Sequence, residues 1–234
     1  MEQPAPAADA RLRYGDQVNQ FVDFFLPAPA GPCPLAINIH GGFWRVRFDL
    51  THAGHLCAAL AAAGFACANI EYRRAGEPGG GWPGTLVDVR RAIAFAREHA
   101  REFRGDPGRT LLLGHSAGGH LALCMAAENI GVSRVVVFGA VADPARAWKL
   151  GLGDGAAAEF FGGGPGEFPE RYTMRPPLCP TVLIHGTADE VVPAGLSRDY
   201  TGARVVEFPG ADHFDAVDPE SPFFAETLRI LAGA

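Results

Sequence analysis

Residues 111–120 read Leu-Leu-Leu-Gly-His-Ser-Ala-Gly-Gly-His, and this stretch decides the predicted fold. A short apolar run, typical of a buried strand, ends at Gly114, and a segment rich in alanine and leucine, typical of a helix, follows Ser116. A residue at such a sharp turn has a strained backbone, and its neighbours two before and two after must be small. Gly114 and Gly118 occupy those positions. The pattern predicts that the Ser116 hydroxyl is lifted clear of the strand, beside a helix N-terminus that favours negative charge.

A chance Gly-x-Ser-x-Gly is the alternative in a chain with 30 glycines, but the apolar run before it and the helix former after it favour the sharp turn. The question is then whether the rest of the chain supplies the groups that a reactive serine needs.

The composition is that of a folded globular protein and disfavours several functions. Of the 234 residues, 48% are hydrophobic and 20% are charged, which is enough for a sizeable core. The net charge of −6 and the lack of a basic run disfavour a nucleic-acid partner. Five scattered cysteines without a Cys-x-x-Cys pair indicate neither a disulfide framework nor a zinc site. No apolar run approaches the roughly 18 residues of a membrane span, and no signal peptide is recognisable, so we expect a cytoplasmic protein.

Strand and helix patterns alternate along most of the chain, which predicts a mostly parallel sheet with helices on both faces. The strands are expected at 35–40, 65–72, 109–114, 133–138, 181–185 and 203–208, and the helices at 50–63, 85–103, 194–200 and 221–231. Residues 18–26 predict an antiparallel strand, residues 1–17 a loose lead-in, and the glycine-rich residues 139–179 a small lid. Because no repeat or second boundary is visible, residues 1–234 are predicted to be one α/β domain.

Ser116 needs a base and an acid to orient that base, because a serine hydroxyl alone is a weak nucleophile. Two downstream strands are each followed by a loop with charged residues: Asp189 and Glu190 in the first, Asp212 and His213 in the second. These loops follow carboxyl ends of parallel strands, as Ser116 does, so the side chains can converge. We assign Asp189 as the acid and His213 as the base, since Glu190 is offset by one residue and Asp212 is too close in sequence to orient His213. The weaker candidates for the base are His40, His115, His120 and His185.

The same chemistry needs backbone N–H groups for the negatively charged oxygen of the intermediate. Ala117, directly after the serine, is expected to supply one. Gly42 and Phe43, in the loop after strand 35–40, are expected to supply the others, with Gly41 as an alternative. No metal or organic cofactor is required.

Three further residues are candidates for the substrate pocket. Trp44 lies next to the oxyanion loop, His115 precedes the serine, and Trp82 lies in a turn-rich segment. Each of the two tryptophans could equally be a packing residue of the core.

Four motifs together resemble a known superfamily: His-Gly-Gly-Phe-Trp at 40–44, Gly-His-Ser-Ala-Gly-Gly-His at 114–120, His-Gly-Thr-Ala-Asp at 185–189 with Val192-Pro193, and Gly-Ala-Asp-His-Phe at 210–214. Over about residues 18–230 the chain resembles the α/β-hydrolases, and within them the hormone-sensitive-lipase-like esterases and kynurenine formamidase (arylformamidase). The resemblance implies an α/β-hydrolase fold with a minimal lid and the chain order serine, acid, histidine. The His-Gly-Gly-Phe-Trp loop and the small lid lean toward the formamidase, whereas residues 172–176 lack the Ser-Pro that many relatives carry.

Three functions are therefore compatible with the sequence. The first is a serine carboxylesterase that hydrolyses small acyl esters through an acyl-enzyme. The second is an arylformamidase with the same triad, and the third is a non-catalytic protein that uses the fold to bind a ligand. In the first two the partner is a small-molecule ester or formamide. The sequence does not distinguish a monomer from a homodimer.

Overall fold

The computed structural model describes residues 4–233, and these residues form one eight-stranded sheet with helices on both faces. The strands are β1 (Ala10–Arg13), β2 (Phe21–Phe25), β3 (Cys33–Ile39), β4 (Ala66–Ile70), β5 (Gly105–His115), β6 (Arg134–Phe138), β7 (Thr181–Gly186) and β8 (Arg204–Phe208). The α-helices are α1 (Gly54–Ala62), α2 (Gly84–Glu98), α3 (Ala117–Ala126), α4 (Pro144–Lys149), α5 (Leu152–Phe161), α6 (Gly195–Arg198) and α7 (Phe224–Ala232). Short 3-10 helices span Leu50–Ala53, Ala100–Phe103 and Pro169–Tyr172.

The strand order is β1-β2-β4-β3-β5-β6-β7-β8. The pairs from β4 to β8 are parallel, whereas β1 and β2 join one edge in antiparallel orientation. The predicted mostly parallel sheet is therefore present, and the carboxyl ends of β3, β5, β6, β7 and β8 face one edge of it. This edge carries the loop at residues 40–44, the turn at Ser116 and the two loops with Asp189 and His213.

Each face of the sheet has its own apolar core. One core packs α2, α3 and α5 against the sheet through residues such as Ile37 and Leu121. The other packs α1 and α7 against the opposite face through residues such as Leu113 and Phe138. Because both faces are covered, the central strands are almost continuously buried, as their unbroken apolar sequences predict.

The N-terminal region departs from the prediction of a loose lead-in at residues 1–17. Within it β1 pairs with β2 in antiparallel register, and Arg11 forms two short bonds of 2.6 and 2.7 Å to Asp23. The strand was missed because its exposed face is polar and its four residues are too short for a clear alternating pattern. Residues 1–3 lie outside the described part of the chain.

Other differences concern where elements begin and end. The helix expected over 85–103 ends at Glu98 and continues as the 3-10 turn Ala100–Phe103, after which Arg104 adopts a left-handed backbone with φ 60°. The helix expected over 50–63 likewise begins as a 3-10 turn before α1. In the segment 139–179, which was expected to be a small lid, a left-handed run at residues 153–155 lies inside α5, so the regular part of α5 begins at residue 156.

Candidate active site

Ser116 lies at the turn between β5 and α3 and has a strained backbone, with φ 57° and ψ −119°. Neighbouring backbone leaves no room for larger residues there. A Cβ at Gly114 would lie 2.4 Å from the Gly118 oxygen, and a Cβ at Gly118 would lie 2.2 Å from the Ile39 oxygen. The two glycines thus allow β3, β5 and α3 to approach closely enough to hold the strained serine.

Asp189 and His213 meet at the same edge of the sheet. The Nδ1 of His213 lies 2.7 Å from Oδ2 of Asp189, and both side chains are buried. The other carboxylate oxygen, Oδ1, accepts hydrogen bonds from the backbone N–H groups of Val191 and Val192 at 2.9 and 2.7 Å. A carboxylate held in this way accepts the Nδ1 proton of His213 and leaves Nε2 as the basic nitrogen.

The electrostatics of Asp189 favour its ionised form. Burial alone would raise the pKa of this carboxyl, but hydrogen bonds from His185 and His213, the charge of His213 and the Val192 N–H lower it well below the ordinary value. Asp189 therefore remains an anion through the neutral pH range.

His185 provides the second imidazole contact of Asp189. Its Nε2 lies 3.1 Å from Oδ2 of Asp189 and 2.8 Å from the Val192 oxygen, and its Nδ1 lies 2.7 Å from Oγ of Ser197. Since Nε2 faces only acceptors, it carries a proton, and Nδ1 shares a hydrogen bond with the Ser197 hydroxyl. His185 thus donates to Asp189 and holds it in place, which is a different role from the base for which it was a weaker candidate.

His213 is also fixed from its other side. The Nε2 of His115 donates to the backbone oxygen of His213 at 2.9 Å, and the two rings lie 4.6 Å apart. Burial, and then the charge of His213, lower the pKa of His115 well below its ordinary value, so this ring stays neutral. A Cβ at Gly139 would lie 3.0 Å from Nδ1 of His213, so the glycine after β6 makes room for the Asp189–His213 pair.

The rival acids lie elsewhere. Glu190 is exposed, and Asp212 accepts hydrogen bonds from the N–H groups of Phe214 and Asp215 at 2.7 and 3.0 Å, so it caps its own loop. Neither has the contact with His213 that Asp189 makes.

The oxyanion loop follows β3 and has an unusual backbone. Gly42, Phe43 and Trp44 have φ angles of 109°, 54° and 58°, all in the left-handed region. A Cβ at Gly42 would lie 2.4 Å from Cβ of Phe48, so only glycine fits there. Ala117 is the first residue of α3, where backbone N–H groups have no partner within the helix. Gly42 and Phe43 lie on the cleft that contains Ser116.

That cleft has a volume of about 220 Å³ and mostly apolar walls. It is lined by Gly42, Phe43, Phe48, His52, His115, Ser116, Val191, His213 and Phe214. The structure thus brings together the serine, the histidine and two of the three expected oxyanion residues, and it places His115 in the wall as expected for the pocket.

The two tryptophans expected to line the pocket lie elsewhere, and this is a correction. Trp44 is 2% exposed and stacks on Phe160 of the lid at 4.9 Å, because its left-handed backbone turns the side chain into the core. Trp82 lines a separate cavity of about 370 Å³ with Leu86 and Met174.

Several wall residues were not anticipated from the sequence. Phe48 and His52 lie just after the oxyanion loop, whereas Val191 and Phe214 each lie within two residues of an assigned triad member. Proximity in sequence to a motif was the available signal for all four, but the pattern does not show which neighbours point inward.

None of the helices formed by residues 4–233 has the length and apolar character that a membrane crossing requires. Within the same residues, no three His, Cys, Asp or Glu side chains are grouped so that they could hold a metal ion.

Comparison with known proteins agrees with this architecture. Residues 22–134 match the BD-FAE family model. Esterase LipQ of Mycobacterium tuberculosis is 29% identical over 88% of the chain, and Esterase LipC of the same organism is 37% identical over 48% of it. The chain covers 56% of LipQ and 28% of LipC, so it spans about half or less of these curated relatives.

Solved structures share the fold over nearly the whole chain. A truncated carbohydrate esterase from gut microbiota superimposes with a TM-score of 0.79 at 22% identity and covers 99% of this chain and 97% of its own. Esterase B from Lactobacillus rhamnosis gives a TM-score of 0.77 at 22% identity and covers 97% of this chain and 87% of its own. The predicted α/β-hydrolase fold is confirmed.

Proposed function

We propose that the protein is a carboxylesterase that hydrolyses esters of short acyl groups through Ser116, His213 and Asp189. The observation that carries the proposal is the 2.7 Å contact of His213 with the buried Asp189, at a cleft that also contains the strained Ser116. The esterases among the relatives support the same class of reaction.

The reaction has two similar halves, formation and hydrolysis of the acyl-enzyme, and the same residues act in both. His213 accepts the Ser116 proton while Oγ attacks the ester carbonyl, and Asp189 stabilises the imidazolium that forms. N–H groups of Ala117, Gly42 and Phe43 bind the oxyanion. His213 then protonates the departing alcohol, and a water molecule attacks the acyl-enzyme in the same way and releases the acid.

The shape of the cleft supports a small acyl group. Its volume is about 220 Å³, and Phe43, Phe48, Val191 and Phe214 give it apolar walls. Such walls bind a short alkyl chain by the hydrophobic effect, whereas a long chain would extend past Phe48 and Phe214 into water.

The test is a substrate panel with a nucleophile variant. The proposal expects p-nitrophenyl acetate and butyrate to be hydrolysed faster than long-chain esters and faster than N-formylkynurenine is deformylated. Ser116→Ala should abolish turnover with an unchanged circular dichroism spectrum, and a fluorophosphonate should label the wild type but not this variant. Ser133→Ala, a substitution beyond the opposite end of the sheet, is the matched control and should keep full activity.

Two outcomes would contradict the proposal. A formamide rate far above every ester rate would identify an arylformamidase, the other function that the same triad can perform. Ester hydrolysis that persists in Ser116→Ala would exclude Ser116 as the nucleophile.

A further inference from the structure

His40, the first residue of the oxyanion motif, is fully buried and faces a hydrogen-bond acceptor on each side of its ring. Nδ1 lies 2.8 Å from the backbone oxygen of Gly41, and Nε2 lies 3.0 Å from Oε1 of Glu71. A backbone carbonyl can only accept a hydrogen bond, so the proton on that side belongs to Nδ1 of His40.

Glu71 is an acceptor as well. Its Oε1 accepts from the N–H of Tyr72 at 3.0 Å, its Oε2 accepts from the N–H of Leu50 at 3.0 Å, and Nη1 of Arg74 lies 3.6 Å from Oε1. Burial would raise the pKa of this carboxyl, but the charge and hydrogen bond of His40, the charge of Arg74 and the Leu50 N–H lower it. An ionised Glu71 has no proton to donate, so the proton between the two side chains belongs to Nε2 of His40.

We propose that His40 is a buried imidazolium, held by Glu71, that orients the peptide between Gly41 and Gly42 and thereby positions an oxyanion N–H. The positioning part rests on the proposed function, whereas the charge state rests on the hydrogen bonds of His40 and on the ionised form of Glu71.

The geometry of the peptide bond connects the two parts. The carbonyl of Gly41 and the N–H of Gly42 belong to one planar trans peptide and point in opposite directions. When Nδ1 of His40 holds the carbonyl, it also fixes the direction of the Gly42 N–H. Gly42 has a left-handed backbone with φ 109°, so without this bond the peptide could rotate easily.

The preceding peptide is fixed by the same cluster. The Tyr72 hydroxyl donates to the backbone oxygen of His40 at 2.8 Å, and the two rings stack 4.4 Å apart. Both carbonyls that lead into the oxyanion loop are therefore held by buried side chains.

The charged and titratable groups around His40 are compatible with a positive ring. Glu71 supplies the negative charge, and Arg74, the second cation beside Glu71, is also paired with Glu77 at 3.4 Å. Asp49 lies close enough for the charge of His40 to contribute to lowering its pKa. Loss of hydration, and then the charge of His40, lower the pKa of His52 to about 4, so His52 adds no second positive charge near neutral pH.

The first test is a measurement of protonation that does not need a substrate. Nitrogen-15 NMR of histidine-labelled full-length protein at about pH 7.5, above the ordinary histidine pKa, should show protons on both ring nitrogens of His40. The ring resonances of His40 are those that are absent from the spectra of His40→Asn and His40→Gln. A single ring proton on His40 would overturn the proposal.

The second test separates charge from peptide orientation by kinetics. His40→Asn can still donate to the Gly41 oxygen, whereas His40→Gln can reach only toward Glu71. We expect His40→Gln to lower kcat by about 100-fold, the effect of losing an oxyanion donor, with little change in KM. His40→Asn should stay within about tenfold of the wild type, because it keeps one neutral hydrogen bond to the peptide. Equal losses in the two variants would overturn the positioning role.

If the His40 variants fail to fold, Glu71→Gln is the alternative test, because it leaves His40 unchanged. The proposal expects this variant to lose one ring proton from His40 at about pH 7.5 and to lower kcat. A doubly protonated His40 with unchanged kcat in Glu71→Gln would overturn it. A wild-type protein that hydrolyses no ester would contradict the proposed function, while the NMR measurement would still decide the charge state.

Discussion

The buried histidines near the cleft differ in their hydrogen-bond partners, which set how many ring protons each one needs. His40 contacts acceptors on both sides, a carbonyl and a carboxylate, and therefore needs two protons. His185 contacts acceptors at Nε2 but a hydroxyl at Nδ1, and a hydroxyl can donate, so one proton is enough. One neighbouring side chain makes this difference: the carboxylate of Glu71 beside His40 and the hydroxyl of Ser197 beside His185.

This view of His185 predicts a measurable role for Ser197, which touches neither the serine nor the cleft. In Ser197→Ala the buried Nδ1 of His185 loses its hydrogen-bond partner at 2.7 Å, so the ring holds Asp189 less firmly. One neutral hydrogen bond corresponds to about 1 kcal/mol, and we expect kcat for ester hydrolysis to fall about fivefold with KM unchanged.

The matched control is Thr110→Ala. Thr110 is also a buried hydroxyl that donates to a backbone oxygen, that of Pro107 at 2.9 Å, but it lies near the N-terminal end of β5. Thr110→Ala should lower the free energy of unfolding about as much as Ser197→Ala does, without changing kcat. If both variants lose activity equally, the effect of Ser197 is one of general stability.

At the scale of elements, the serine turn depends on close packing of β3, β5 and α3. A Cβ at Gly118 would lie 2.2 Å from the Ile39 oxygen and 2.3 Å from the His40 oxygen, and backbone atoms cannot give way cheaply. Gly118→Ala should therefore destabilise the protein by more than about 2 kcal/mol, a fall in Tm of more than about 4 °C for a chain of this size.

Gly166→Ala is the control for the loss of a glycine. No atom lies within 4 Å of a Cβ at Gly166, so the substitution should leave Tm unchanged or raise it slightly. Calorimetry of the two variants checks the difference. Similar Tm values would show that β3 and α3 can separate without cost.

The segment 139–179 contacts the proposed oxyanion loop through its left-handed run at residues 153–155, which allows a second comparison of glycines. Gly153 and Gly155 have φ angles of 60° and 80°. A Cβ at Gly153 would lie 2.4 Å from the Phe43 ring, whereas a Cβ at Gly155 would meet nothing within 4 Å. Arg45 strengthens this junction through an ion pair of 2.7 Å with Glu159.

Both Gly153→Ala and Gly155→Ala should lose about 1–2 kcal/mol of stability to left-handed strain. Only Gly153→Ala should also lower kcat, by about tenfold or more, because it displaces Phe43 and with it a proposed oxyanion donor. Thermal melts and ester kinetics on the pair measure the two effects separately. Equal kcat values would indicate that the lid does not influence the oxyanion loop.

The sequence alone predicted most strands and the loops of the candidate site, but not the directions of several side chains. Apolar runs of five to seven residues predicted the parallel strands because both faces of the sheet are buried. Local sequence also indicated the serine turn and the two downstream loops, whose side chains the structure brings together. It failed for Trp44 and Trp82, since the direction of a side chain on a left-handed loop depends on packing against the lid. The Glu71–His40 pair and Gly139 were missed because their partners are distant in sequence.

At the scale of the whole molecule, buried ionisable groups make the folded state sensitive to acid. Burial lowers the pKa of His120 to about 3 and that of His115 well below its ordinary value. The unfolded chain binds these protons near the ordinary histidine pKa of about 6.5, so stability falls as the pH drops from about 6.5 toward 3. The lowered pKa values of Asp189 and Glu71 act in the same direction below about pH 4.

His120 gives the sharpest test of this dependence, because it lies in α3 away from the proposed triad contacts. Its ring is fully buried among Trp44, Phe160 and Phe161, and in the described chain its Nδ1 has no hydrogen-bond partner. His120→Leu should therefore leave stability at pH 7 almost unchanged. At pH 4.5 His120 is protonated in the unfolded wild-type chain but not in the folded one, which lowers the free energy of unfolding by about 2–3 kcal/mol. His120→Leu should remove this loss. Urea unfolding across pH 4–8 measures this as a smaller slope of stability against pH.

Met125→Leu, a buried substitution in the same helix, is the control and should shift the whole curve without changing its slope. Parallel curves for His120→Leu and the wild type would mean that His120 binds its proton equally well in the folded and unfolded chains.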